Sequence, residues 1–176
     1  MARQDHRLAK TVWLFGLAAF VAPALLGWTI LWLGRSEGCA FGAASCVKLP
    51  VLGAAFKQTL DLAWALGTSP AALIPLALVV ALAAILARSP RRAFIGVFGG
   101  PTLALLLPVL VVMSALYPGC RLDESGGSCT FWGVAMGDSF STAAVAPWLV
   151  YIIPPVAFAA GLASMLIAFI VKRQRA

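Results

Sequence analysis

Charge is what this sequence has least of: 11% of its 176 residues are Asp, Glu, Lys or Arg, against about 25% in a soluble domain. That shortage, beside 62% hydrophobic residues, excludes a soluble globular domain, a disordered tail and a secreted disulfide scaffold. Histidine is nearly absent too. His6 stands alone in the N-terminal segment, so no histidine pair exists to ligate haem or copper within a bilayer. The sequence contains no P-loop, dinucleotide fingerprint, nucleophile elbow or metalloprotease helix. No catalytic residue, cofactor or metal is expected from it.

What remains is apolar, with a mean hydropathy of +0.97. Residues 11–34, 62–87, 93–120 and 139–171 carry no charge at all. A helix needs about 20 apolar residues to cross about 30 Å of hydrocarbon. Each run is long enough once and none is long enough twice. The expected fold is an all-α integral membrane protein of four transmembrane helices, at about 11–34, 69–88, 93–116 and 142–171. Outer loops are expected at 35–68 and 117–141. The continuous apolar run through Leu33 makes the first helix a retained span and not a cleaved signal, despite an A-x-A-like site at Ala22-Pro23-Ala24.

The pI of about 9.8 raises a nucleic-acid reading, which the placement of charge answers. Nine of the thirteen basic residues lie in three clusters: Arg3, Arg7 and Lys10; Arg88, Arg91 and Arg92; and Lys172, Arg173 and Arg175. The other four share their segments with five of the six acids. This alternation is the positive-inside pattern. It places both termini in the cytoplasm, suits a bacterial inner membrane, and makes lipid rather than nucleic acid the expected partner. No span contains an Asp, Glu, Lys or Arg between its ends, which argues against an ion-coupled transporter formed by this chain alone.

Caps and aromatics fit the same boundaries. Thr68-Ser69-Pro70 offers a helix start for the second span, and Ser141-Thr142 one for the fourth. Trp28, Trp32, Trp64, Trp132 and Trp148 fall near the outer boundary and Trp13 near the inner one, the expected place for amphipathic rings at headgroup depth. Pro101 and Pro108 fall in the third span, and Pro147, Pro154 and Pro155 in the fourth, where they should bend or loosen it. Gly96-x-x-x-Gly100, Ala77-x-x-x-Ala81 and Ala157-x-x-x-Gly161 would let helix backbones approach closely.

The chain also repeats itself. Lys10 and Arg92, Gly38-Cys39 and Gly119-Cys120, Cys46 and Cys129, and Arg88 and Lys172 are equivalents at a nearly constant offset of about 80 residues. Gly53-Ala54-Ala55-Phe56 and Gly133-Val134-Ala135-Met136 echo each other as well. Two tandem two-helix units are expected, 1–91 and 92–176, related by an axis along the membrane normal. All four cysteines fall in the outer segments, where disulfides persist. The duplication favours Cys39–Cys46 and Cys120–Cys129, with pairing between repeats as the rival.

Four helices, cytoplasmic termini and two outer cysteine pairs resemble the layout of the DsbB family, membrane enzymes that reoxidise periplasmic disulfide donors. That resemblance implies quinone-linked thiol oxidation. It departs at the motif, because the family carries Cys-x-x-Cys in its first outer loop and here six residues separate Cys39 from Cys46. A short ring helps depress one thiol pKa, so these cysteines are expected to be structural. The remaining polar candidates are Lys57, Gln58 and Asp61. If 52–66 is helical they form a polar face on the outer surface, opposite Leu52, Phe56, Leu60, Ala63 and Trp64. The functional expectation is a non-catalytic accessory or assembly subunit of a larger inner-membrane complex, with other membrane subunits as partners. A small-solute transporter is the first alternative, resting on the repeat and the prolines.

Overall fold

The computed structural model describes residues 2–38, 50–115 and 130–174. The chain is an α-helical, multi-pass membrane protein. Three helices are long and apolar enough to cross a bilayer, His6–Ser36, Pro90–Ala115 and Ile153–Arg173, and a bent pair raises the number to four if it counts as one span.

Helix α1 runs from Ala2 to Ser36 without a break. Its 35 residues reach about 52 Å at 1.5 Å per residue, well beyond a hydrocarbon core. The basic N-terminal segment, His6 included, is therefore the first turns of this helix and not a tail. Helix α2 (Pro50–Thr68) follows, then α3 (Pro70–Leu86). The two are bent by 71° at their junction. Ser69 takes an extended conformation there and Pro70 opens α3, as the sequence implied. The Ser69 side chain makes no cap bond; its carbonyl accepts from the amides of Ala72 and Leu73 at 3.1 and 2.9 Å. At 17 residues, α3 covers about 25 Å alone, and together with α2 it makes either one broken span or a re-entrant loop. Within the segment 35–68, residues 50–68 are helical.

Helix α3 closes in a Schellman turn. The Ser89 amide donates to the Ala84 carbonyl at 3.1 Å, and the Arg88 amide to the Ile85 carbonyl at 2.8 Å. Arg88 takes the left-handed position, at φ 50°. The next long helix begins as α4 (Pro90–Phe94), widens into π geometry over Ile95–Gly99, and continues as α5 (Gly100–Ala115). Proline explains the widening. Pro101 has no amide hydrogen for the Val97 carbonyl, and its ring would crowd that oxygen in a regular helix. The Thr102 hydroxyl donates to the neighbouring Phe98 carbonyl at 2.7 Å.

A two-stranded antiparallel hairpin, β1 (Thr130–Phe131) and β2 (Val134–Ala135), precedes α6 (Gly137–Val150) and α7 (Ile153–Arg173). The fourth expected span, 142–171, is therefore two helices. Pro154 and Pro155 cannot donate to the carbonyls of Val150 and Tyr151. The chain tightens before them, with Tyr151 bonded to the Trp148 carbonyl and Ile152 to Leu149. Ser141 and Thr142 do not start a helix either: both hydroxyls donate back to the Asp138 carbonyl, one turn inside α6.

The core has two clusters. Near one end, α2, α5, α6 and the hairpin bury Phe56, Leu60, Trp64, Leu105, Val112, Phe131 and Phe140. Near the other, Trp13, Phe20, Val80, Ala84 and Ala93 pack where α1, α3 and α4 meet. The small-residue spacings work inside the chain. A Cβ on Gly96 would lie 2.3 Å from Val80 and 2.7 Å from Trp13, and one on Gly100 would lie 2.6 Å from Phe20. Gly161 of α7 admits Phe94 and Phe98 in the same way.

The tryptophans divide, against the expectation of a common belt. Trp28, Trp32 and Trp148 are exposed, whereas Trp13, Trp64 and Trp132 are buried in the bundle. Trp13 donates its indole N–H to the Arg92 carbonyl at 3.0 Å, with the Arg92 guanidinium 5.9 Å from its ring.

Candidate functional site

The polar residues singled out on α2 do come together, but across to α6. The apolar stripe Phe56, Leu60, Ala63 and Trp64 is buried, as a helix over 52–66 requires. That stripe packs toward α1, α5 and α6, while Gln58, Asp61 and Leu62 on the opposite side of the helix are exposed. On its other face Lys57 and Asp61 stand one turn apart, and Lys57 Nζ donates to Asp61 Oδ2 at 2.9 Å. Both are partly open to the surroundings, with side chains 30% and 46% exposed. A surface pair in this position contributes only a few tenths of a kcal/mol, about 0.3–0.5.

The second carboxylate oxygen does more. Asp61 Oδ1 accepts from the hydroxyl of Ser139 on α6. The backbone carbonyl of that same residue accepts the indole N–H of Trp64 at 2.9 Å. Ser139 is 2% exposed and is the buried polar residue among the described residues. Side chain and carbonyl together fasten the first turn of α6 to α2, one bond at the polar edge and one inside the core. Both oxygens of Asp61 thus accept a hydrogen bond, one from Lys57 on its own helix and one from Ser139 on α6. Gln58 sits exposed on the same helix. Among the described residues no group of three His, Cys, Asp or Glu side chains could hold a metal.

Next to this crossing lies an aromatic knot. Phe56, Phe131 and Trp132 have ring centroids 5.0, 6.5 and 4.5 Å apart. The hairpin turn that delivers Trp132 has positive φ at both central residues, Trp132 at 49° and Gly133 at 78°, the pattern of a type I′ turn. Glycine or asparagine is usual at the first position, and a bulky residue there is strained. Gly34 leaves the space that the ring fills, and Gly53 lets α2 approach the hairpin backbone. A Cβ on Gly34 would fall 1.9 Å from the indole, and one on Gly53 about 3.1 Å from the carbonyls of Phe131 and Trp132. The indole Nε1 is buried and has no hydrogen-bond partner among the described residues.

Cys39, Cys46, Cys120 and Cys129 all lie outside the described residues, as does their pairing. Ser139 and the inward turn of Trp132 were missed by sequence reasoning. A serine in the first turn of a helix has no periodic signature, and its partner lies 78 positions away. Trp132-Gly133 does carry a signal, since a glycine shortly before a helix-forming run marks a turn.

Replacing Ser139 by alanine should lower the stability of the detergent-solubilised protein by about 1 kcal/mol, since the Trp64 bond to the backbone survives. Asp61→Asn should cost less than Asp61→Ala, because the amide oxygen still accepts from Ser139. Thermal melting of the three variants checks the order. Comparison with known proteins adds no constraint: no family model, curated protein or solved structure matches this chain.

Proposed function

We propose that this chain is a non-catalytic accessory or assembly subunit of a larger inner-membrane complex, acting through helix packing. The observation that carries this reading is a filled apolar interior combined with a bare outer helix. Phe20, Phe56, Leu60, Leu105, Val111, Val112, Met136 and Phe140 are fully buried along the bundle. A solute path needs polar lining groups, and this packing opposes the transporter alternative. Helix α7, by contrast, has only 17% of its most apolar window buried, against 50% for Pro90–Ala115. Its outward residues include Phe158, Leu162, Leu166 and Phe169, a face for a neighbouring subunit.

In the same reading the chain has four spans, both termini in the cytoplasm, and two tandem units. The order of elements supports this plan. In each half a long helix is followed by two shorter ones split at a proline-bearing break, before Pro70 and before Pro154. Phe56 and Met136, Leu60 and Phe140, and Ala63 and Ala143 are buried counterparts at one common offset. The tetrapeptide echo is looser, since Gly53 lies on α2 whereas Gly133 lies in the hairpin turn.

A photo-reactive residue placed at Leu162 or Phe169 in native membranes tests the subunit role. The expected result is one defined protein adduct from both α7 positions, with only lipid adducts from Phe15 on the exposed side of α1. Lipid adducts alone from α7, or solute movement or turnover by the purified chain in vesicles, would overturn the reading.

A further inference from the structure

At the end of the bundle where the basic clusters meet, a groove of about 790 Å³ opens between α1, α3 and α7. Val12 of α1, Leu82 and Leu86 of α3 and Val171 of α7 line it, together with His6 and Arg88. We infer that this groove is a binding site for one anionic phospholipid, its acyl chain against the apolar walls and its phosphate held by Arg88, with His6 beside it.

Two independent features point to that occupant. The first is chemical complementarity. The walls carry apolar side chains, three of them well exposed (Val12, Leu82 and Leu86), and an acyl chain is the apolar partner a bilayer supplies. The lining also includes the exposed, cationic Arg88, and the exposed Arg7 and Arg91 are close to lining residues in sequence. A guanidinium engages phosphate oxygens through paired N–H donors, which an ammonium cannot do. Basic pockets between membrane helices are where anionic headgroups settle. A free phosphate ion would have no use for the apolar walls.

The second feature is the backbone of Arg88. It occupies the left-handed position of the Schellman turn closing α3, at φ 50°. Glycine is the usual residue there, and a side-chain-bearing residue is disfavoured by about 1–2 kcal/mol. The guanidinium makes no hydrogen bond or ion pair among the described residues. The strain is therefore not repaid by a contact within the described chain. Local strain of this kind accumulates where a side chain serves a ligand.

That same strain supplies the test, because Arg88→Gly removes the charge while relaxing the turn. The protein is reconstituted in vesicles of phosphatidylcholine and phosphatidylglycerol, extracted gently, and the retained lipid is measured by mass spectrometry. Wild-type protein should retain phosphatidylglycerol in preference to phosphatidylcholine. Arg88→Gly should melt no lower than wild type and lose about fivefold of that preference, the equivalent of one basic residue near a headgroup. Arg91→Gln, at the same end but outside the groove, should change the preference by less than about twofold. Leu82→Trp should abolish retention by filling the groove with every charge left in place. Equal losses in Arg88→Gly and Arg91→Gln would show diffuse surface attraction and overturn the inference. Retained preference in Leu82→Trp would overturn it as well, and that variant decides the matter should Arg88→Gly melt early.

Discussion

Trp132→Ala is expected to lower the stability of the protein by about 3–5 kcal/mol, the cost of removing a large buried aromatic. The indole fills the slot at Gly34 and packs on Phe56 and Phe131. Its removal leaves a cavity that the hairpin, pinned at both central residues by positive φ, is badly placed to fill. Trp132→Phe should behave differently. The buried Nε1 has no partner among the described residues, and an unsatisfied buried donor costs about 1–3 kcal/mol. Phenylalanine gives up some ring area but sheds that penalty, so the net change should stay within about 1 kcal/mol. Denaturant unfolding followed by tryptophan fluorescence, with a second probe for each variant, checks the pair. A Phe variant as damaged as the Ala variant would mean the indole N–H is engaged after all.

Gly67→Ala should be a strongly damaging single-methyl change. A Cβ there would lie 2.4 Å from the Ala104 carbonyl oxygen and 2.9 Å from its carbon. The obstacle is backbone, so no rotamer change relieves it, and α2 must move away from α5. The loss should reach or exceed the about 1–3 kcal/mol usual for overpacking. Gly99→Ala is the matched control, since the nearest atom to its Cβ is Ile95 Cγ2 at 3.9 Å. It should be neutral or slightly stabilising, because alanine is the better helix former. Melting temperatures of the two variants, compared in one detergent, provide the measurement.

The large features of this fold were legible in the residues because lipid imposes a coarse rule. A charge-free run of more than about 20 residues is what a bilayer span demands and what a soluble helix rarely carries, and three such runs became helices able to cross. The start of α3 was readable too, since Ser69-Pro70 carries a local steric signal. The stripe from Leu52 to Trp64 marked α2 as a helix with one buried face, though not what it would be buried against. The break at Tyr151–Ile152 was half legible. Pro154 and Pro155 signalled a disturbance, but whether a proline pair bends a helix or ends it depends on how neighbours satisfy the freed carbonyls.

The candidate site was harder for a different reason. Lys57 and Asp61 are neighbours on one helix and could be paired by counting. Ser139 reaches Asp61 only because the hairpin sets the first turn of α6 against α2. The tryptophans show the same limit. A ring that is apolar on its faces and polar at one edge suits both a headgroup and a core, and composition cannot choose between them. Trp64 enters the core because the Ser139 carbonyl accepts its N–H there.

The wide turn at Ile95–Gly99 sets the azimuth of everything before it. An α-helix advances by about 100° per residue, so one residue absorbed in that turn decides which compass direction Arg92 and Phe94 face relative to α5. In the present phase Arg92 meets Trp13 and Phe94 meets Gly161. The fit of α1 and α7 against opposite flanks of the same helix is thereby indexed by a single proline, Pro101, acting one turn downstream.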